Sequence, residues 1–324
     1  MRDIARRLRE RLLKPNGLAH IVFFDRDVSK VVLYADADAD DPDPDPDHDA
    51  AAAEDVGSAP AGGTSALHER AGRQLYYVLE DLEPDFADLR TGMLIRTILR
   101  VPTGAVLYFM VEPGFHLYGA TSALEDLDSL DAKMAECVNE IRSEVHYSEL
   151  DYGSWLSSQG ADTSVVGGGA ATIGNSDIIY RHDAPGVTIS DPKRSAIEEV
   201  MDVTGLHYVA YYDADSLIPT CTVDIFERPG MEKFFRGQTP EQRRDKYGRM
   251  GHLLPGVIRR MNVSLRGIMR GRLQQVVLDV EQGALYFHAL SGGGHLVGVT
   301  LDQTRVAAAD RRLGQLGREL GRLD

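Results

Sequence analysis

The sequence is short of the residues that would declare a chemistry outright. Its 324 residues include two cysteines, Cys137 and Cys221, and a single tryptophan, Trp155. The two cysteines stand far apart with no Cys/His spacing around either, which disfavours zinc. Cys137 lies in an apolar helical stripe and Cys221 in a strand-like run, so two buried thiols are expected rather than a disulfide. No run of about 18 apolar residues occurs, which excludes an ordinary membrane-spanning helix. The opening MRDIARRLRERLLKP is too charged for the apolar region of a signal peptide. A soluble, cytoplasmic chain is the expectation. A phosphate loop is also missing: GGGAATIG at 167–174 has the glycines but not the lysine. No G-x-S-x-G elbow or local nucleophile-and-base set occurs either. The chain is therefore read as non-enzymatic, with no catalytic residue and no cofactor assigned.

What is present is an ordinary globular composition, 43% apolar and 26% charged, in a length that suits about two domains. The formal net charge of −15 repels nucleic acid and anionic membranes, so neither is an expected partner. The charge is unevenly placed. Residues 36–55 hold ten acids and no Lys or Arg; setting them aside leaves the rest of the chain at −5. The run DPDPDPD within them cannot bury apolar surface, and a disordered acidic insertion over 36–64 is expected. Calcium is disfavoured there, because prolines alternate with the aspartates and the turn glycine and closing glutamate of a calcium loop are absent.

The chain repeats itself. Residues 17–27, GLAHIVFFDRD, match residues 205–215, GLHYVAYYDAD. Residues 107–121, LYFMVEPGFHLYGAT, match residues 285–300, LYFHALSGGGHLVGVT, with one residue more in the second turn. A helix precedes each first landmark, carried by Ile4, Leu8 and Leu12, then by Ile197, Val200 and Met201. In the second copy that helix is expected to have Asp191 as N-cap, Pro192 at its first position and Gly205 as its stop. A hairpin follows each landmark, with second strands over 28–35 and 218–226. Next comes a helix over about 65–82 or 239–262, the latter kinked or split by Pro255. Three strands follow, near 92–101, 105–112 and 115–121, then 271–281, 284–290 and 295–300. Amphipathic helices starting near Leu127 and Val306 close the copies. The order predicts an α/β sandwich made of two copies of one domain, each with a five-stranded antiparallel sheet flanked by helices. The boundaries are 1–146, a linker over 147–189, and 190–324. Within the linker, Trp155, Ile178, Ile179 and Tyr180 are expected to dock on a domain.

Helix, two strands, helix, three strands, helix resembles the Roadblock/dynein-light-chain superfamily, a profilin-like fold. The likeness is fullest from Asp191 to Leu323, where GRLQQVVLDVEQGALYFHALSGGGHLVGVTL runs into the last helix. The resemblance implies a protein partner. Roadblock domains pair through the second helix and third strand, and many bind or regulate Ras-like small GTPases, some bacterial members by stimulating GTP hydrolysis. It further implies that the two copies pair with each other or in a homodimer. A small-molecule sensor of GAF or PAS type, with a cavity beside the sheet, and a purely structural adaptor are the alternatives.

The sequence offers one charged site. Residues 231–275 hold eleven Lys or Arg against three acids, net +8 in an acidic chain. The expected partner-binding residues there are Arg243, Arg244, Lys246, Arg249, Arg259 and Arg260. Such a patch steers acidic partners, attracts the chain's own acidic insertion, faces the other copy or is simply solvated; all four readings fit. His116 and His295, at equivalent repeat positions, read as structural histidines at strand starts, and Gly292–Gly294 as a hairpin turn.

Overall fold

Residues 2–14, 17–35, 61–152, 179–186, 189–214, 216–235 and 237–323 are described by a computed structural model. The first half runs α1 (Arg2–Leu12), β1 (His20–Asp25), β2 (Val28–Tyr34), α2 (Ala61–Glu80), α3 (Glu83–Leu89), β3 (Leu94–Val101), β4 (Gly104–Glu112), β5 (Phe115–Thr121) and α4 (Leu127–Glu144). A linker strand, β6 (Tyr180–Asp183), precedes the second half. That half runs α5 (Asp191–Glu199), β7 (Tyr208–Tyr212), β8 (Cys221–Asp224), α6 (Pro240–Leu265), β9 (Gln275–Val280), β10 (Gly283–Ala289), β11 (His295–Thr300) and α7 (Val306–Leu323).

The fold is mixed α/β around one large antiparallel sheet. In place of two separate five-stranded sheets there is one of eleven strands, ordered β2-β1-β5-β4-β3-β9-β10-β11-β7-β8-β6. The halves are joined because β3 and β9 pair antiparallel along their length. Their strands are apolar almost throughout, LIRTILRV and QVVLDV, and their burial patterns are those of strands covered on both faces. The eleventh strand comes from the linker: β6 pairs with β8, Arg181 opposite Val223 and His182 opposite Thr222. Ile179 packs against the core; Trp155 and Ile178 lie outside the described residues.

The first landmark keeps its alignment in space. Phe24 of β1 stands opposite His116, and Tyr212 of β7 stands opposite His295, so GLAHIVFF and GLHYVAYY occupy the same places. The second landmark does not. Tyr108 pairs with Tyr118, but Tyr286 pairs with Gly298, the counterpart of Gly119, which itself faces Leu107. The two Leu-Tyr-Phe triplets are thus one residue out of step, while the pairs Met110–His116 and Ala289–His295 enclose equal lengths of chain. A one-residue slip turns a side chain to the other face. Tyr108 lies on the α2 side against His116, whereas the Tyr286 hydroxyl reaches the other layer and donates to Val306 O at 2.9 Å.

Several boundaries differ from expectation. The insertion expected over 36–64 falls outside the described residues as far as residue 60, but Ala61 already begins α2. In α5 the cap position is Ser190, with Asp191 inside the first turn, and the helix ends at Glu199, well before Gly205. The second strand of the second half is confined to Cys221–Asp224. Pro255 does not split α6. It removes one backbone donor, while buried Tyr247, Met250 and Leu254 on one side of it and Ile258 and Met261 on the other hold the helix to the sheet. The start of α6 is fixed by a capping box, in which Gln242 N donates to Thr239 Oγ1 at 3.3 Å and Thr239 N donates to Gln242 Oε1 at 3.1 Å. Helix α3 had no separate signal, since it prolongs the apolar stripe of α2 through Phe86 and Leu89. Both thiols are free and buried.

Two helical layers cover the sheet. Helices α1, α4, α5 and α7 lie on one face; α2 and α6 pack against one another on the opposite face. These last two helices come close to the strands at two glycines. A Cβ on Gly72 would sit 2.6 Å from the Phe24 ring, and one on Gly251 would sit 2.3 Å from the Tyr212 hydroxyl. Gly72→Ala is expected to destabilise the fold by about 1–3 kcal/mol through overpacking against a fully buried ring, even though alanine favours helix by roughly 1 kcal/mol. Urea denaturation would show it as a lower midpoint at unchanged slope.

Candidate functional site

The β3–β9 junction is built around a local twofold centre. Ile98 and Val277 face each other there, and each is the third residue before the last of its strand. On the α4/α7 side, two residues away in either direction, sit ionic pairs. Arg96 stands opposite Asp279, and Arg100 opposite Gln275. The Arg96 guanidinium is wholly buried and ties helix α4 to strand β9: Nη1 lies 2.6 Å from Asp131 of α4, and Nη2 lies 2.8 Å from Asp279 of β9. Asp279 also accepts from Gln303 Nε2 at 2.8 Å. At the mirrored position Arg100 Nη1 donates to Gln275 Oε1 at 3.1 Å, Arg100 Nη2 is 3.5 Å from Asp310 of α7, and Gln275 Nε2 donates to Asp310. Burial pushes the Asp131 and Asp279 carboxyls up to about 7, against the pull of Arg96, and pushes Asp310 up as well.

The opposite side of the same junction carries the six basic residues expected to bind a partner, and most of them are engaged within the chain. Arg243 is buried; it donates to Phe234 O at 2.8 Å and to the Tyr247 hydroxyl at 3.3 Å, with the Phe235 ring 5.3 Å away. Arg244 grips Asp224 with two bonds of 2.6 and 3.0 Å, reaches Glu227 at 2.9 Å and stacks 3.8 Å from the Tyr180 ring. It thereby fastens α6 to β8 and β6. Lys246 and Arg249 both meet Asp88 of α3, at 3.2 and 2.8 Å. Arg260 pairs with Asp81, beyond the end of α2. Arg259 is exposed. Arg90 and Gln238 complete the seal, donating to Gly237 O at 2.9 Å and Leu89 O at 3.0 Å.

The six residues therefore separate into two groups, with Lys246, largely buried against Asp88, between them. Arg243 and Arg244 hold the second half together, and reversing their charge would unfold α6 rather than report on docking. Arg249, Arg259 and Arg260 lie on the outward side of the helix, where the ion pairs of Arg249 and Arg260 are solvent-exposed and contribute about 1 kcal/mol at most. Helical spacing puts Arg249, Leu253, Gly256, Arg260 and Val263 on one stripe. Leu253 and Val263 are exposed on it, as is Tyr77 on α2.

The other sequence candidates have plain structural roles. His295 stacks on Tyr212 with ring centres 4.3 Å apart, and burial holds it neutral by lowering its pKa to about 4. His116 is lowered to about 4 for the same reason. Gly292–Gly294 form the β10–β11 turn, with Leu290 N donating to Gly294 O at 2.8 Å and Gly293 at a φ of +90°. Among the described residues no group of three or more His, Cys, Asp or Glu side chains could hold a metal ion, and no helix is long and apolar enough to cross a membrane. Comparison with protein-family models and with curated proteins found no match to this chain.

Proposed function

We propose that the chain is a non-enzymatic protein-interaction module that regulates or scaffolds a Ras-like small GTPase, or a related signalling assembly, by docking it on the α2/α6 face. The observation that carries this reading is the outward stripe of α6, where Arg249, Arg259 and Arg260 stand among exposed Leu253 and Val263 on a helix whose other side is fully packed. Arginine beside exposed apolar side chains is the composition of a protein-binding surface. The element order of each half, which resembles Roadblock domains, supports the choice of partner, as do the contact between the two second helices and the pairing of the two third strands.

The test is affinity capture from the native cell with quantitative mass spectrometry, using wild type and the variant Arg249→Glu, Arg259→Glu, Arg260→Glu. A small GTPase should be enriched by the wild type and lost at least tenfold by the variant, while the variant's melting temperature stays within a few degrees. Capture that survives the triple reversal removes this face. Capture with no GTPase in it removes the choice of partner.

A further inference from the structure

A small cavity of about 90 Å³ opens in the first half, between β3–β5 and the α2/α3 layer. Its wall holds hydroxyls that have nothing to bond. Tyr108 is 3% exposed and Thr97 1%, and neither Tyr108 Oη nor Thr97 Oγ1 has a hydrogen-bond partner; His116 Nδ1, also at the wall, has none either. A buried hydroxyl without a partner costs about 1–3 kcal/mol, so three such groups around one void call for an occupant.

The second half supplies an internal comparison. Strand register places Val276 where the first half has Thr97, and Phe287 where it has Tyr108. With Gly72 and Gly251 both set against the β1/β7 aromatics, Arg259 corresponds to Glu80 and Asn262 to Glu83. His295 keeps the place of His116, but the two hydroxyls and the two carboxylates are present only in the first half. In the second half the corresponding Val276 and Phe287 are buried apolar side chains.

The mouth defines the ligand's charge. Glu80 and Glu83 line it, and the Glu83 carboxyl is raised by burial and by Glu80. Arg96 is the one Lys or Arg among the lining residues, and its guanidinium is held away by Asp131 and Asp279. Tyr76, which donates to Glu80 at 2.6 Å, and Tyr108 flank His116 with ring centres 5.3 Å away, so the walls are aromatic faces. Aromatic faces and carboxylates together favour an organic cation. Scaled against a 150 Å³ cavity that holds benzene, the void admits roughly four non-hydrogen atoms.

We infer that this cavity binds a small organic ammonium compound bearing a second hydrogen-bonding group, an amino alcohol or short diamine. Its ammonium sits between Glu80 and Glu83, and its other polar group reaches Tyr108, Thr97 and His116. A ligand of about four atoms has a Kd no tighter than roughly tens of micromolar, so millimolar probes are required.

Ethanolamine and 1,2-diaminoethane, each at about 10 mM and neutral pH, are compared with ethylene glycol and acetate at matched ionic strength, on the full-length protein. The two amines should raise the melting temperature by a few degrees over both controls. The double variant Thr97→Val, Tyr108→Phe takes the residues of the second half. It should fold with a melting temperature equal to or above wild type, because unpartnered hydroxyls are removed, and should lose the amine response. Equal shifts with amine and glycol would overturn the inference, as would a stronger response to acetate. So would a double variant that is markedly less stable yet keeps its amine response in calorimetric titration, since the hydroxyls would then be structural.

Discussion

Arg96→Met should cost about 3–5 kcal/mol of stability at pH 8, the loss associated with leaving a buried charge without its partner. The guanidinium is the sole cation within hydrogen-bond reach of Asp131 among the described residues, and it meets Asp279 as well. Removing it strands two carboxyls at 1% and 0% side-chain exposure. The loss should shrink as the solution is acidified. Both carboxyls sit near 7 even with the arginine present, so they take up protons readily and no longer need it. A cavity or a packing defect would not depend on pH in that way. Chemical denaturation of wild type and variant at pH 8 and pH 5.5 separates the two; equal losses at both would mean that packing, not charge, is responsible. A triple variant, Arg96→Met with Asp131→Leu and Asp279→Val, should recover most of the loss, since well-packed apolar replacements of buried ion groups are often neutral or better.

Acid should unfold this protein early. Burial holds four imidazoles neutral: His68 is lowered to about 3, and His116, His207 and His295 to about 4. The unfolded chain binds those protons near pH 6.5. Their contribution is complete above that pH and is lost as pH falls from 6.5 towards 4. Asp131 and Asp279 act in the opposite sense, because their folded pKa lies above the unfolded value, so protonation between 7 and 4 favours the fold. Four groups outweigh two. The unfolded state binds about two more protons across this window, which amounts to about 3 kcal/mol per pH unit. Against a total stability of about 5–15 kcal/mol, the fold should fail between pH 5 and 4. His20 and His288 are lowered too and add to the effect, while the raised Asp224 and Asp310 oppose it. His68 is the sharpest probe. It stacks on His20 with ring centres 3.8 Å apart, and its Nδ1 lies 2.8 Å from the Tyr118 hydroxyl. His68→Phe should flatten the acid limb by about one proton, or roughly 1.4 kcal/mol per pH unit, measured as the denaturation free energy from pH 7 to 5. A stability that holds level or rises on acidification would contradict the account.

Much of the architecture could be read from residues alone, for a reason that lies in periodicity. GLAHIVFF and GLHYVAYY alternate as strands do, and α4 and α7 carry stripes at helical spacing, so each announced its own partner face. Equivalences across a turn were harder. LYF in 107–109 and LYF in 285–287 look identical, yet cross-strand pairing sets them one residue apart, and no local pattern fixes register between strands. Helix α3 and strand β6 were missed because each is short and borrows its stability from a neighbour, α2 in one case and β8 in the other. The basic run was legible as charge but not as geometry. Arg243 and Arg249 have the same composition around them, and only the helix's orientation buries one and exposes the other. The ionic core did leave a signal that went unread. Arg96 and Arg100 interrupt an apolar strand, Asp279 interrupts another, and Asp131 and Asp310 fall inside apolar stripes at matching positions. Charges placed where neither copy should tolerate them mark the surface on which the copies meet.

That surface also decides who can meet whom. Strand register makes Arg96 the counterpart of Gln275 and Arg100 the counterpart of Asp279. Two first halves brought together along β3 would set Arg96 against Arg100 twice, with no carboxylate from either strand. Two second halves along β9 would set Gln275 against Asp279 twice and supply no cation from either strand. Only unlike halves set a carboxylate of one strand against an arginine of the other. The charges on the two strands thus favour a first half against a second half over either half against its own kind.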